Sequence, residues 1–367
     1  EQRIALSADY QLTCSQAVAG LPTTITVTDK SGQPVAMANV KRKTADGEAL
    51  LGRTNLKGQV TYTFSDAGEQ TLHAEVKDKG RSWDLRLVVC QQTTLAEGEK
   101  VFGILTNGTQ APETSQSISW ISAIGTSAAA AKVKYSEKAD LSGAVTAKGT
   151  SRIVTFVQST SGDALRVNQV TLSGLAAGKT YYFQVGDGTD GWSEIRTFRT
   201  ADASAESTDF FILGDIQSSG DTSKLSSVLD KLKASPFDFA IQTGDAIDNV
   251  TAFQSNWWPF LNTMNAASLG GTDLIHALGN HEYYGDAEGS ISGAVYDLPQ
   301  SAQNSWYTMD YGKVSVTVIN HGTDMASALR KIAETMDTDC IWKVLVSHEP
   351  IYGTNPDSGE PSAEILS

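Results

Sequence analysis

The sequence predicts a multidomain chain in which two all-β segments precede an α/β domain. Three observations lead there. The chain has 367 residues, and at about 150 residues per domain that length divides into two or three cores. Up to Thr200 apolar residues alternate with period two between clusters of turn residues. After the polar stretch Ala201-Asp-Ala-Ser-Ala-Glu-Ser the pattern changes to short apolar strands separated by helical periods. The expected boundaries are 1–95, 96–202 and 203–367.

In the first segment, Thr24-Ile-Thr-Val-Thr alternates before the turn Asp29-Lys-Ser-Gly, and Gln59-Val-Thr-Tyr-Thr-Phe alternates after Lys57-Gly. Further strands are expected at Thr71-Leu-His-Ala-Glu-Val and Leu85-Arg-Leu-Val-Val-Cys. Alternation means one face buried and one wet, and the spacing suits an antiparallel sandwich. Cys14 and Cys90 bracket the segment. An oxidising compartment allows them to pair, but connectivity cannot be read from spacing. Cys340 reads as a buried thiol, and His73 as structural.

The second segment follows the polar linker Gln91-Gln-Thr-Thr-Leu-Ala-Glu-Gly-Glu. Its strand-like runs are Ser117-Ile-Ser-Trp-Ile-Ser, Ala131-Lys-Val-Lys-Tyr and Thr180-Tyr-Tyr-Phe-Gln-Val, each closed by turn residues. In the third segment Phe210-Phe-Ile-Leu is a strand. Thr222 to Ala234 then reads as a helix with Leu225, Val228, Leu229 and Leu232 on one face and Asp221 or Thr222 as its cap. Phe239-Ala-Ile-Gln is the next strand. Strands this apolar belong to a sheet covered on both faces.

The formal net charge of −14 is spread without a basic run, which excludes a counterion-releasing surface for nucleic acid. No apolar stretch reaches the roughly 20 residues of a membrane span. No charged-then-apolar leader opens at Glu1, so any signal peptide is expected to have been removed or never to have existed.

Polar residues recur at the carboxyl ends of the α/β strands, where open sheets place their ligands. Gly214-Asp215-Ile-Gln217 follows the first strand and Gly244-Asp245 the second. Gly279-Asn280-His281-Glu282 follows Leu274 to Leu278, and Ser347-His348 follows Lys343 to Val346. Alone, each is an ordinary turn former or cap. Four in equivalent places define one site.

These motifs, in this order, resemble the calcineurin-like metallophosphoesterases, whose pattern runs Asp-x-His, Gly-Asp, Gly-Asn-His-Asp/Glu, His and Gly-His-x-His. The resemblance covers about Asp209 to Ser367. Ahead of it, Val170-Thr-Leu-Ser-Gly-Leu-Ala-Ala-Gly-Lys-Thr-Tyr-Tyr-Phe-Gln-Val-Gly-Asp-Gly with Gly191-Trp-Ser-Glu-Ile-Arg-Thr-Phe looks like the fibronectin-type domain that precedes the catalytic domain of purple acid phosphatases. Ser305-Trp-Tyr-Thr-Met-Asp-Tyr-Gly-Lys-Val-Ser-Val-Thr-Val-Ile also looks like a strand pair of those enzymes. Val27-Thr-Asp-Lys-Ser-Gly-Gln-Pro-Val with Thr54-Asn-Leu-Lys-Gly-Gln resembles the immunoglobulin-like modules of bacterial surface proteins. The resemblances together imply two immunoglobulin- or fibronectin-like sandwiches followed by an αββα-type metallophosphoesterase domain, secreted or held at a bacterial cell surface.

The family resemblance implies two divalent or mixed-valence metal ions (iron, zinc, manganese or similar) and a phosphorylated small molecule or nucleotide as substrate. Asp215 and Gln217 would bind the first metal, Asp245 would bridge both, and Asn280 and His348 would bind the second. His281 would face the phosphate as the catalytic residue. Two cations about 3.5 to 4 Å apart neutralise phosphate oxygens and activate water, which explains the choice of carboxylates and imidazoles. Three departures stand out. Gln217 replaces a histidine, and an amide binds transition metals less strongly. Asp248 replaces the iron-binding tyrosine of purple acid phosphatases, so it is expected as a ligand or as an acceptor behind one. No Gly-His-x-His follows His348 before Ser367, which implies an incomplete domain.

Other residues read more plainly. His276 is a packing histidine, and Trp257-Trp258-Pro-Phe is helix packing. Glu282, Tyr283, Tyr284 and His321 could touch substrate. From a different class, a degenerate phosphoesterase retained as a surface-binding or adhesive module would also carry Gln217 and lack the last motif.

Overall fold

The computed structural model describes residues 9–96, 99, 101–125, 131–187, 191–232, 237–266, 272–298, 306–335 and 340–349. Ala234 and Ser305 lie outside them. The chain forms two compact units, one of residues 1–93 with 155–164 and the other of 94–154 with 165–367.

In the first unit, β1 (Tyr10–Cys14), β2 (Pro22–Asp29), β3 (Asn39–Thr44), β4 (Gly47–Arg53), β5 (Gln59–Thr63), β6 (Gly68–Val76), β7 (Gly80–Arg81) and β8 (Leu85–Val89) make two sheets. Their orders are β1-β2-β5 and β4-β3-β6-β7, with β8 alongside β6. The alternation has its expected effect: Ile25, Val27, Val40, Leu72, Ala74 and Val89 share one apolar core while their neighbours in sequence face outward. Each such Val, Leu or Ile side chain stabilises by about 1.5 to 3 kcal/mol when fully buried. β9 (Gln91–Gln92) pairs with Asp163 and Ala164. Cys14 and Cys90 are free thiols, each pushed up to about 11 by burial. Cys340, expected to be buried, is half-buried.

The second unit contains β10 (Phe102–Asn107), β11 (Ser115–Ser122), β12 (Lys132–Ser136), β13 (Val145–Lys148), β14 (Thr150–Val157) and β15 (Gly162–Ser173) apart from their residues 155–157 and 162–164, β16 (Thr180–Gly186) and β17 (Arg196–Arg199). It continues with β18 (Phe210–Leu213), α1 (Ser223–Leu232), β19 (Phe239–Gln242), α2 (Trp258–Ala266), β20 (Asp273–His276), α3 (Ser290–Val295), β21 (Trp306–Tyr311), β22 (Val314–Ile319), α4 (Met325–Thr335) and β23 (Trp342–Ser347). One sheet runs β14-β15-β11-β10-β20-β19-β18. The junction is a parallel pairing of Asn107 with Leu274, reinforced by the Gly108 N–H on the Leu274 carbonyl at 2.9 Å. Backbone pairing thus joins the second β segment to the α/β strands. A second sheet, β13-β12-β16-β17, shares with β10 and β11 a core that includes Trp120, Val133, Phe183 and Phe198.

β18, β19 and β20 are parallel, and β19 and β20 are buried at every residue, as strands covered on both faces must be. The third sheet, β21-β22-β23, meets them through the Tyr311 ring, 4.9 Å from that of Phe239, and through Tyr307, whose hydroxyl donates to the His276 carbonyl. Asp221 accepts the Ser223 N–H at 2.9 Å ahead of α1. That helix buries Leu225 and Leu229, but Val228 is exposed. Trp257 and Phe260 are buried, and Trp258 stacks on Phe102. His276 is a packing histidine: it stacks 3.7 Å from Tyr296, and burial lowers its pKa to about 3. Among the described residues no helix is long and apolar enough to cross a membrane.

Candidate metal centre

Asp215 comes two residues after β18 and Asp245 three after β19. Asn280 and His281 follow β20, and His348 directly follows β23. The chain must turn sharply at each of these points. Asp215, Gln217 and Asp245 take left-handed backbone angles, with φ of 49°, 45° and 55°. Non-glycine residues rarely adopt that region, and such strain gathers at sites where neighbours enforce it. Here hydrogen bonds between the loops do so: the Asp215 N–H donates to the Gly244 carbonyl at 3.1 Å and the Gln217 N–H to that of Asp245 at 2.8 Å.

Two glycines allow the close approach. A Cβ on Gly244 would lie 2.6 Å from His348 Nδ1. One on Gly279 would lie 2.2 Å from Asp245 Oδ1 and 2.9 Å from His348 Cγ. A residue with a side chain at either place would push the ligands apart.

Ligand atoms of Asp215, Asp245 and His348 lie within 4.8 Å of one another. His348 Nε2 is 3.4 Å from Asp245 Oδ2 and 3.1 Å from Asn280 Oδ1. His348 Nδ1 is held by the Thr243 carbonyl at 3.2 Å, which directs Nε2 into the cluster. Gln217 joins it through its amide nitrogen, 3.2 Å from Asp245 Oδ2 and 3.3 Å from His281 Nε2. His281 is oriented by three contacts. Its N–H donates to Asp245 Oδ1 at 3.0 Å, its Nδ1 meets the Asp248 carbonyl at 2.6 Å, and the Asp248 carboxylate lies 3.6 Å from the same nitrogen. Asp248 therefore stands behind His281 and outside the carboxylate–imidazole cluster.

The donors fit a cation. The hydrogen bond with Asp245 raises His348 to about 9 against the opposing effect of burial, and the nearby Asp215 charge adds to the rise. Burial would raise Asp245, but hydrogen bonds from His348, the His281 backbone and Gln217 outweigh it and hold the carboxyl below its ordinary range. Converging carboxylates thus draw positive charge into their midst, and a metal ion would supply it in place of the imidazolium proton.

Glu282 is turned inward. It is fully buried, and its carboxylate accepts the N–H groups of Asp245 and Gly279 at 2.8 Å, Ala246 at 2.9 Å and Ile247 at 3.4 Å. It clamps the two metal-site loops together. Its place as the third residue of a short helical turn, Asn280–Tyr283, was the available signal, because carboxylates there commonly serve N–H groups. Tyr284 was expected near substrate, and its hydroxyl accepts from Asn280 Nδ2 at 2.7 Å. His321 pairs with Glu349, packs 5.5 Å from the Tyr283 ring and donates its N–H to the Leu278 carbonyl at 2.8 Å. Both side chains thus border the Gly279–His281 loop.

Residues 102–200 match the model of the purple acid phosphatase N-terminal domain, and residues 208–366 match that of the calcineurin-like phosphoesterases. The chain carries a calcineurin-like phosphoesterase domain. This phosphoesterase is similar in fold to purple acid phosphatase PPD1 from yellow lupin (Lupinus luteus) seeds, with 13% identity, a TM-score of 0.57, and coverage of 94% of this chain and 74% of that one. Looser overlaps, with no bearing on the phosphoesterase site, occur with the FN1–FN3 domains of chicken CNTN1 (14% identity, TM-score 0.26, 52% of this chain and 65% of that one) and with two fibronectin type III domains of chicken tenascin (16%, 0.17, 51% and 95%). A search of curated proteins returns no match.

Proposed function

We propose that the phosphoesterase hydrolyses phosphate esters at a two-metal centre. The observation that carries this is the convergence of Asp215, Asp245 and His348 within 4.8 Å, at the strand ends where the family holds its metals. On this reading Asp215 and Gln217 hold the first ion, Asp245 bridges, and Asn280 and His348 hold the second, with the Gln217 amide turned to present its oxygen. Bound there, the ions would neutralise the phosphoryl oxygens and lower the pKa of a water.

The chain's own groups do the rest. The Asp248 carbonyl only accepts hydrogen bonds, so His281 keeps a proton on Nδ1. Nε2, the nitrogen beside Gln217 and Asp245, is then the ring atom directed into the cluster. His281 can thus stabilise the charge of the transition state or protonate the leaving group. Glu282 keeps the loops in register. Tyr283 and His321, packed on one another, serve as contacts for a phosphorylated small molecule or nucleotide. The two β segments serve an exported protein as spacer and as support for the catalytic sheet, the second being paired into that sheet through Asn107 and Leu274.

A second reading, a degenerate domain kept for binding, is favoured by Gln217, whose amide nitrogen rather than oxygen faces Asp245. Hydrolysis of nitrophenyl phosphate and bis(nitrophenyl) phosphate by the metal-loaded protein separates the two. The enzyme reading expects turnover of at least one ester that falls at least 100-fold in Asp245→Asn. Turnover equal in native and variant protein would sink it.

A further inference from the structure

A second group of metal-type donors lies in the first unit, on the outward face of its larger sheet. Leu72 and Ala74 point into the core, so His73 and Glu75 on β6 point away from it. Lys41 on β3 is the register partner of His73, and Glu48 comes across from β4. Ligand atoms of Glu48, His73 and Glu75 all lie within 4.8 Å of one another.

The two carboxylates divide their oxygens. Oε1 of each faces His73 Nε2, at 3.4 Å from Glu48 and 3.2 Å from Glu75. Oε2 of each is held by Lys41 Nζ, at 3.3 Å and 2.6 Å. Charge-assisted N–H···O bonds run to about 2.7–2.9 Å, and the contacts to His73 are longer than that. They come near a different geometry: tetrahedral zinc with bonds of about 2.0–2.2 Å places its donors about 3.3–3.6 Å apart. His73 is fully buried, and its Nδ1 has no hydrogen-bond partner. Both carboxylate oxygens only accept hydrogen bonds, so Nε2 carries the ring proton in the absence of an ion, and a bound cation would replace that proton.

We propose that Glu48, His73 and Glu75 form a zinc-type divalent cation site, distinct from the phosphoesterase centre, with Lys41 orienting both carboxylates. One imidazole with two carboxylates suits a borderline transition ion; calcium and magnesium prefer all-oxygen sites. Three protein donors leave a fourth position for water. The ion ties β4 to β6 across β3. Lys41 plays the part of the outer hydrogen-bonding partners that commonly steer metal carboxylates.

The test is zinc bound per chain at equilibrium with limiting Zn2+, in the native protein, Glu48→Gln and His73→Gln, each with and without Asp245→Ala. Glu48 is exposed, so its variant leaves the core intact even if His73→Gln unfolds the unit. Glu48→Gln is expected to weaken one zinc at least tenfold, by the same amount in both Asp245 backgrounds. Co2+ in place of Zn2+ should give the visible absorption of a four-coordinate ion, lost in Glu48→Gln. Zinc affinity and content equal in native and Glu48→Gln protein would overturn the proposal and leave a polar cluster closed by Lys41. Loss of zinc that appears only when Asp245 is intact would overturn it too.

Discussion

Replacing Asp273 with asparagine should stabilise the second unit at neutral and alkaline pH and leave it nearly unchanged at pH 4. Asp273 on β20 is 1% exposed, and one of its oxygens has no partner. Burial pushes its carboxyl up from 3.8 to about 7, with a hydrogen bond from Gln116 opposing the rise. The folded chain therefore keeps a proton that the unfolded chain has released between about pH 4 and 7, so stability falls as pH rises through that window. At 1.36 kcal/mol per pH unit the whole interval is worth about 4 kcal/mol, against about 0.5 kcal/mol at pH 4. Asparagine preserves the size and the Gln116 contact without a proton to lose. His276, on the same strand, is held neutral by burial, its pKa lowered to about 3. The unfolded chain takes up that proton below about pH 6.5, so this group gives the opposite slope, with stability falling as pH drops. Urea unfolding followed by tryptophan fluorescence at pH 4, 6 and 8 reads the difference. The expected result is a gain for Asp273→Asn that grows with pH to about 4 kcal/mol, with the slope of His276 now uncompensated at acid pH. An equal gain at pH 4 and pH 8, or a loss at pH 8, would refute the reasoning.

Three further outcomes concern the metal centre. Gly279→Ala places a Cβ 2.2 Å from Asp245 Oδ1, and should lower turnover at least 100-fold and destabilise by about 1 to 3 kcal/mol, as kinetics and thermal unfolding would show. Glu282→Ala leaves four backbone N–H groups without an acceptor. At about 1 kcal/mol or more each, less the relief of no longer burying a charge, a net loss near 3 kcal/mol is expected by denaturant titration. His281→Asn should lower kcat by about 100- to 10,000-fold with metal content unchanged. Loss of metal along with activity would instead assign His281 to the ligands.

The grouping of Asp215, Asp245 and His348 was legible in the sequence because the pattern that predicts it is local. Each candidate ligand follows an apolar strand, and apolar strands with polar carboxyl ends are visible in a window of a few residues. Asp215, Asp245 and His348 are brought together as that pattern implies. What escaped depends on partners far along the chain. Nothing near Asn107 announces its pairing with Leu274, which draws a β segment into the α/β sheet. Glu282 follows a catalytic-type histidine and so reads as a substrate contact; only the fold shows four N–H groups converging on it. His73 looks structural in isolation, because Glu48 joins it through the register of β3 with β4 and β6. Val228 matched the helical period, yet period alone does not say how wide a stripe the sheet covers.

The most direct test of the two-metal account is the metal content of Asp245→Ala against that of the native protein, measured after the same loading and dialysis. A bridging carboxylate holds both ions, so its removal should cost two metal ions per chain and abolish ester hydrolysis. Metal content unchanged by Asp245→Ala would contradict the account.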